Sequence, residues 1–155
     1  MSAAEPAGVE RELRQAETLC QRRGVRLTAQ RRRVLRAVCG AGRPVGAYDI
    51  LAALRAELPR VAPPTVYRAL EFLQRQGLVH KLQTLHAYVG CAHPDHPHAS
   101  QFLICTDCGE VEEIADAAIA DSLGQAAAAS GFRPTHGVVE LTGTCADCAA
   151  HRNGR

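Results

Sequence analysis

Tryptophan is absent from the sequence, and three tyrosines and three phenylalanines make up its 4% of aromatic residues. A chain of 155 residues with 46% hydrophobic content must then build its core from aliphatic side chains, in one larger or two small domains. Modules so small gain from a metal tie. Also missing is any apolar run near the roughly 20 residues that span a bilayer. The polar, acidic start MSAAEPAGVERELRQAE lacks the basic-then-apolar order of a signal peptide. These absences predict a cytoplasmic chain with no membrane segment. In a reducing compartment the seven cysteines, an odd number, do not read as a disulfide framework. Paired cysteines are then metal or redox sites.

Acidic residues are scarce in one half only. Residues 1–90 carry 15 Lys/Arg against 7 Asp/Glu, and residues 91–155 carry 3 against 9. The formal charge of +2 thus hides halves of about +8 and −6. Eight arginines and no acid lie between Cys20 and Tyr48. The asymmetry points to a nucleic-acid-binding first half and a second half with another task; the plainer alternative is a solvated arginine surface.

Apolar spacing of three and four predicts a helix over Val9–Arg23, closed by Gly24. Thr28 caps a second, with Val34, Leu35 and Val38 inward, that stops at Gly40 and Gly42. A third runs from about Ala47 to Glu57 on Ile50, Leu51 and Leu54. Pro59, Pro63 and Pro64 are expected to break the chain before a fourth, TVYRALEFLQRQG, which buries Val66, Ala69, Leu70 and Leu73. Thr65, Tyr67 and Arg68 fall near its start, where a recognition helix meets base edges, and with Tyr48 they are the candidate DNA contacts. The bland reading is an exposed aromatic and an Arg68–Glu71 ion pair. Strands over Leu78–Leu82 and His86–Val89 complete a winged helix-turn-helix. Beyond them, strands over Gln101–Ile104, Glu110–Ile114 and Val138–Leu141 with an alanine-rich helix over Asp116–Ser130 form a small α/β module. The fold class is α+β.

Two cysteine pairs, Cys105-x-x-Cys108 and Cys145-x-x-Cys148, present four thiolates to one zinc ion and close its coordination sphere. The site is therefore structural. A redox pair is the alternative, and it leaves one knuckle unexplained. A looser group, His80, Cys91, His93, His96, His98 and Glu113, lies where the basic and acidic halves join and offers a second metal site. Cysteine among nitrogen and carboxylate donors favours zinc over iron or manganese. Cys20, Cys39, His86 and His151 read as core or surface residues.

The stretches PPTVYRALEFL, HKLQTLHAYVGC, FLICTDCGEVEEI and the closing CADC resemble the ferric uptake regulator (Fur) family, over nearly the whole chain. Within it they are similar to the zinc uptake regulators. The resemblance implies a winged-helix DNA-binding domain at 1–88, a hinge at 89–91, and a dimerisation and metal-binding domain at 92–155. It implies two zinc ions per chain: a structural one on Cys105, Cys108, Cys145 and Cys148, and a regulatory one on His80, Cys91, His98 and Glu113. The iron-sensing branch carries a histidine-rich tract where this sequence reads Ala99, Ser100, Gln101 and Phe102, which favours zinc. His93, His96 and His136 have no assigned place.

The expectation is a homodimeric, zinc-responsive transcription regulator that binds double-stranded operator DNA and represses zinc-uptake genes, and is not an enzyme. A relative sensing iron, manganese or peroxide is the alternative within the family. Of other classes, a zinc-ribbon scaffold would not explain the hinge ligands. A zinc deaminase would need H-x-E followed by P-C-x-x-C and an open coordination position, and the sequence has neither.

Overall fold

A computed structural model describes residues 6–95, 99–135 and 137–153. The chain divides into two compact units, Met1–His96 and Pro97–Arg155.

The first unit runs α1 (Pro6–Arg22), α2 (Ala29–Gly40), α3 (Ala47–Arg55), α4 (Pro63–Arg75), β1 (Val79–Leu82) and β2 (Ala87–Gly90). Each helix turns its expected stripe inward, and Leu13, Val34, Ile50 and Leu73 are fully buried. Burial of such side chains stabilises by roughly 1.5–3 kcal/mol apiece. Thr28 caps α2, its hydroxyl accepting from the Arg31 N–H at 3.3 Å. Gly24 and Gly77, at φ 68° and 66°, take the left-handed turns that end α1 and α4. One expectation fails here. Pro63 and Pro64 do not break the chain before the fourth helix; they form its first turn, where a missing N–H costs no intrahelical bond and the fixed φ suits the helix.

β1 and β2 pair antiparallel as a wing, Val79 opposite Gly90 and Leu82 opposite Ala87. Val45, just ahead of α3, exchanges hydrogen bonds of 3.0 and 2.8 Å with Tyr88 and so anchors the wing to the helices. Much of the basic surface of α2 is engaged within the unit. Arg36 and Arg32 grip Glu10 of α1 at 2.7 and 3.1 Å, Arg33 faces Glu57 at 3.8 Å, and Arg31 lies 3.6 Å over the Phe72 ring.

The second unit runs β3 (Ser100–Cys105), β4 (Val111–Ile114), α5 (Ala117–Ala129), β5 (Val138–Gly143) and α6 (Ala146–Asn153). Its sheet has the order β4-β3-β5. β3 and β4 form an antiparallel hairpin, and β5 lies parallel to β3 on its other side, so the segment between β4 and β5, which includes α5, must pass β3. The Asp116 carboxylate caps α5 through the N–H groups of Ala118 and Ile119, at 2.8 and 3.2 Å. No residue of α5 is buried, and Leu103, Leu123, Phe132 and Leu141 are exposed. The short α6 is an element that the sequence reading did not include. No described helix is long and apolar enough to cross a membrane.

Candidate metal centre

Cys105 ends β3, and the turn after it is tightened by the Gly109 N–H on the Cys105 carbonyl at 3.0 Å, with Gly109 at φ 76°. Cys145 lies between β5 and α6, and Cys148 is in the first turn of α6. Thr106 draws the two loops together, its N–H and hydroxyl both donating to the Gly143 carbonyl at 2.8 and 3.1 Å. Arg152 of α6 adds an ion pair with Asp107 at 2.6 Å. The parallel pairing of β3 with β5, Cys105 opposite Gly143, thus sets one knuckle beside the other.

The four sulfurs lie within 4.8 Å of one another, and those of Cys108 and Cys145 are 3.9 Å apart. Sulfurs placed tetrahedrally about 2.3 Å from a zinc ion stand about 3.8 Å from each other. The donor set therefore fits a closed zinc site. The Cys145 N–H points at the Cys105 sulfur from 3.3 Å. Backbone N–H groups of Cys108 and Cys145 hold the Cys105 thiol down to about 6, while the neighbouring Cys145 and Cys108 thiols push Cys148 up. Crowded sulfurs share protons unequally; a cation among them favours thiolate on all. Sequence spacing named the four cysteines that the structure brings together, but not the N–H groups of Cys108 and Cys145 that face the Cys105 sulfur.

The candidates for the second metal site are distributed over both units. His80 sits on β1, buried, opposite Val89; Cys91 follows β2, its N–H bonded to the Leu78 carbonyl at 3.0 Å. The ligand atoms of this pair lie within 4.8 Å of each other. Glu113 is on β4 of the second unit, opposite Phe102. His98, His96 and His136 fall outside the described residues. His93 is exposed.

Tyr48 stands on the first turn of α3 at 76% exposure, and Thr65, Tyr67 and Arg68 occupy the first two turns of α4. Tyr67 and Arg68 are exposed. Glu71 pairs with Arg75 at 2.9 Å, one helical turn on, so the bland ion pair expected for Arg68 is not the one formed.

The family model of the ferric uptake regulators matches residues 22–142. The zinc uptake regulation protein of Escherichia coli (strain K12) is 45% identical over 137 residues, covering 88% of this chain and 80% of that protein. Among solved structures, a zinc uptake regulator complexed with zinc and DNA superposes with a TM-score of 0.87 at 42% identity, over 94% of this chain and 97% of that one. A structure of holo XcZur gives 0.82 at 45% identity, over 89% and 96%. Motifs, four-cysteine cluster and these likenesses agree: the chain belongs to the ferric uptake regulator family and is similar to its zinc uptake regulators over most of its length.

Proposed function

We propose that this chain is a cytoplasmic, homodimeric, zinc-responsive repressor that binds operator DNA of zinc-uptake genes, and that it is not an enzyme. The observation that carries the reading is the pairing of a buried imidazole with a thiol, His80 with Cys91, where the wing leads out of the first unit of a chain so similar to zinc uptake regulators. The functional division follows the sequence: a winged-helix DNA-binding domain at 1–88, a hinge at 89–91 and a dimerisation domain at 92–155. Two zinc ions serve each chain. The structural one belongs to Cys105, Cys108, Cys145 and Cys148, and the regulatory one to His80, Cys91, His98 and Glu113.

The proposed DNA contacts are Tyr48, Thr65, Tyr67 and Arg68. Arg68 reaches a guanine edge or a phosphate, and the Tyr67 ring a thymine methyl. Exposed apolar side chains at Leu103, Leu123 and Leu141, with an α5 that buries nothing, support a second copy docking on the second unit. Zinc, when bound, supplies one cation that engages four donors together. His80 and Cys91 come from the first unit and Glu113 from the second, so this ligand set makes the placement of the recognition helices depend on the metal. Zinc affinity and operator affinity then raise each other by the same factor.

The test is Cys91→Ser, with Cys20→Ser as the silent control. Native mass spectrometry should show one tightly held zinc per chain retained and the exchangeable one lost. Gel shifts at fixed salt should lose most of the zinc-dependent operator affinity. A Cys91→Ser protein that binds operator as tightly as the parent, and responds over the same zinc range, would refute the reading.

A further inference from the structure

The central strand of the second unit carries a polar side chain that is almost completely buried: Gln101, on β3, is 2% exposed. A buried amide needs partners, and this one finds both on a single residue. Its Nε2 donates to the Asp116 carbonyl at 2.9 Å, and its Oε1 accepts from the Asp116 N–H at 3.3 Å. Gln101 pairs with Ile114, the last residue of β4, so the amide continues the hydrogen-bonding of the hairpin two residues beyond the point where the strand stops. There the backbone is held while the Asp116 carboxylate turns it into α5. Ser100 and Phe102, the neighbours of Gln101, are equally buried.

One residue before Ile114 stands Glu113. Its strand has four residues and ends beside it, and a strand this short frays unless its end is tied. We propose that Gln101 is a positioning residue for the regulatory metal site: its double bond to Asp116 fixes the register and exit of β4 and thereby holds the Glu113 carboxylate in place to ligate zinc. This rests on the reading of Glu113 as a regulatory ligand. It also gives the Ala99-Ser100-Gln101-Phe102 stretch a task, since the strand there is built for packing and alignment, not for supplying donors to metal.

The deciding measurement is a double-mutant cycle on zinc affinity, read by competition with a chromophoric zinc chelator on the full-length protein loaded at its four-cysteine site. Gln101→Met fills a similar volume but makes neither bond. It should weaken the exchangeable zinc by about tenfold, leave one tight zinc per chain, and keep the far-UV spectrum. Glu113→Ala should weaken the same zinc at least as much, and adding Gln101→Met to it should cause almost no further loss, because the two act through one carboxylate. If Gln101→Met lowers the melting temperature without moving zinc affinity, or if the two losses add in full, the proposal falls while the ligand reading stands. A silent Glu113→Ala overturns both. Should Gln101→Met aggregate, Gln101→Asn keeps the polarity on a stem one methylene too short to span both bonds, and the same outcomes decide.

Discussion

Arg68 shows what a single side chain contributes and how far it can be read in advance. Its position in the first turns of α4 was legible from the apolar stripe behind it, because Val66, Ala69 and Leu70 leave only one face for polar residues. Which acid it would meet was not, since spacing of three and of four both place neighbours on one face, and Glu71 took Arg75 instead. Arg68→Ala should therefore weaken operator binding by about 1–3 kcal/mol where the contact is bidentate, with the zinc content unchanged. Unchanged affinity in a titration at fixed salt would move the recognition surface elsewhere. The cysteines were legible for a different reason. A C-x-x-C pair is a spacing within the chain itself, and the structure brings the two pairs together, whereas a hydrogen bond such as that of Gln101 to Asp116 joins residues that no local pattern relates.

The helices of the first unit were readable because each has a strong period, and their boundaries follow from Thr28, Gly24 and Gly77. Pro63 and Pro64 misled because proline forbids the middle of a helix but favours its start, and composition alone does not say which applies. α6 was hidden inside the second knuckle, where Cys148 serves as both ligand candidate and first-turn residue. The pairing of α1 with α2 carries a pH dependence. Glu10 is held below its ordinary 4.5 chiefly by the Arg36 hydrogen bond, opposed by burial and assisted by Arg32. A carboxyl whose folded value is depressed adds stability above its ordinary value and loses it as the pH falls through the folded one. Glu10→Gln should thus lower the urea midpoint near neutrality and make little difference in strong acid. An equal loss at both pH values would assign the effect to packing.

At the scale of the molecule the two units differ in what holds them. The first has an aliphatic core that spans four helices, and the second has an α5 that buries nothing and exposed leucines on its sheet. Cys105→Ser should accordingly cost the second unit its fold and the dimer, while helical circular dichroism of the first persists on heating as in the parent. A soluble Cys105→Ser dimer of normal thermal stability would count against a structural zinc. The parallel β3–β5 pairing has a kinetic side as well. To form it, Cys105 must find Cys145 across 40 residues. Closing such a loop costs about 3 kcal/mol in chain entropy before any contact rewards it. A metal that pins both knuckles removes that search from every later opening and closing. Filled by zinc, the four-cysteine cluster would tie maturation of the second unit to zinc supply, so that a zinc-poor cell would make the folded regulator slowly as well as leave it unliganded.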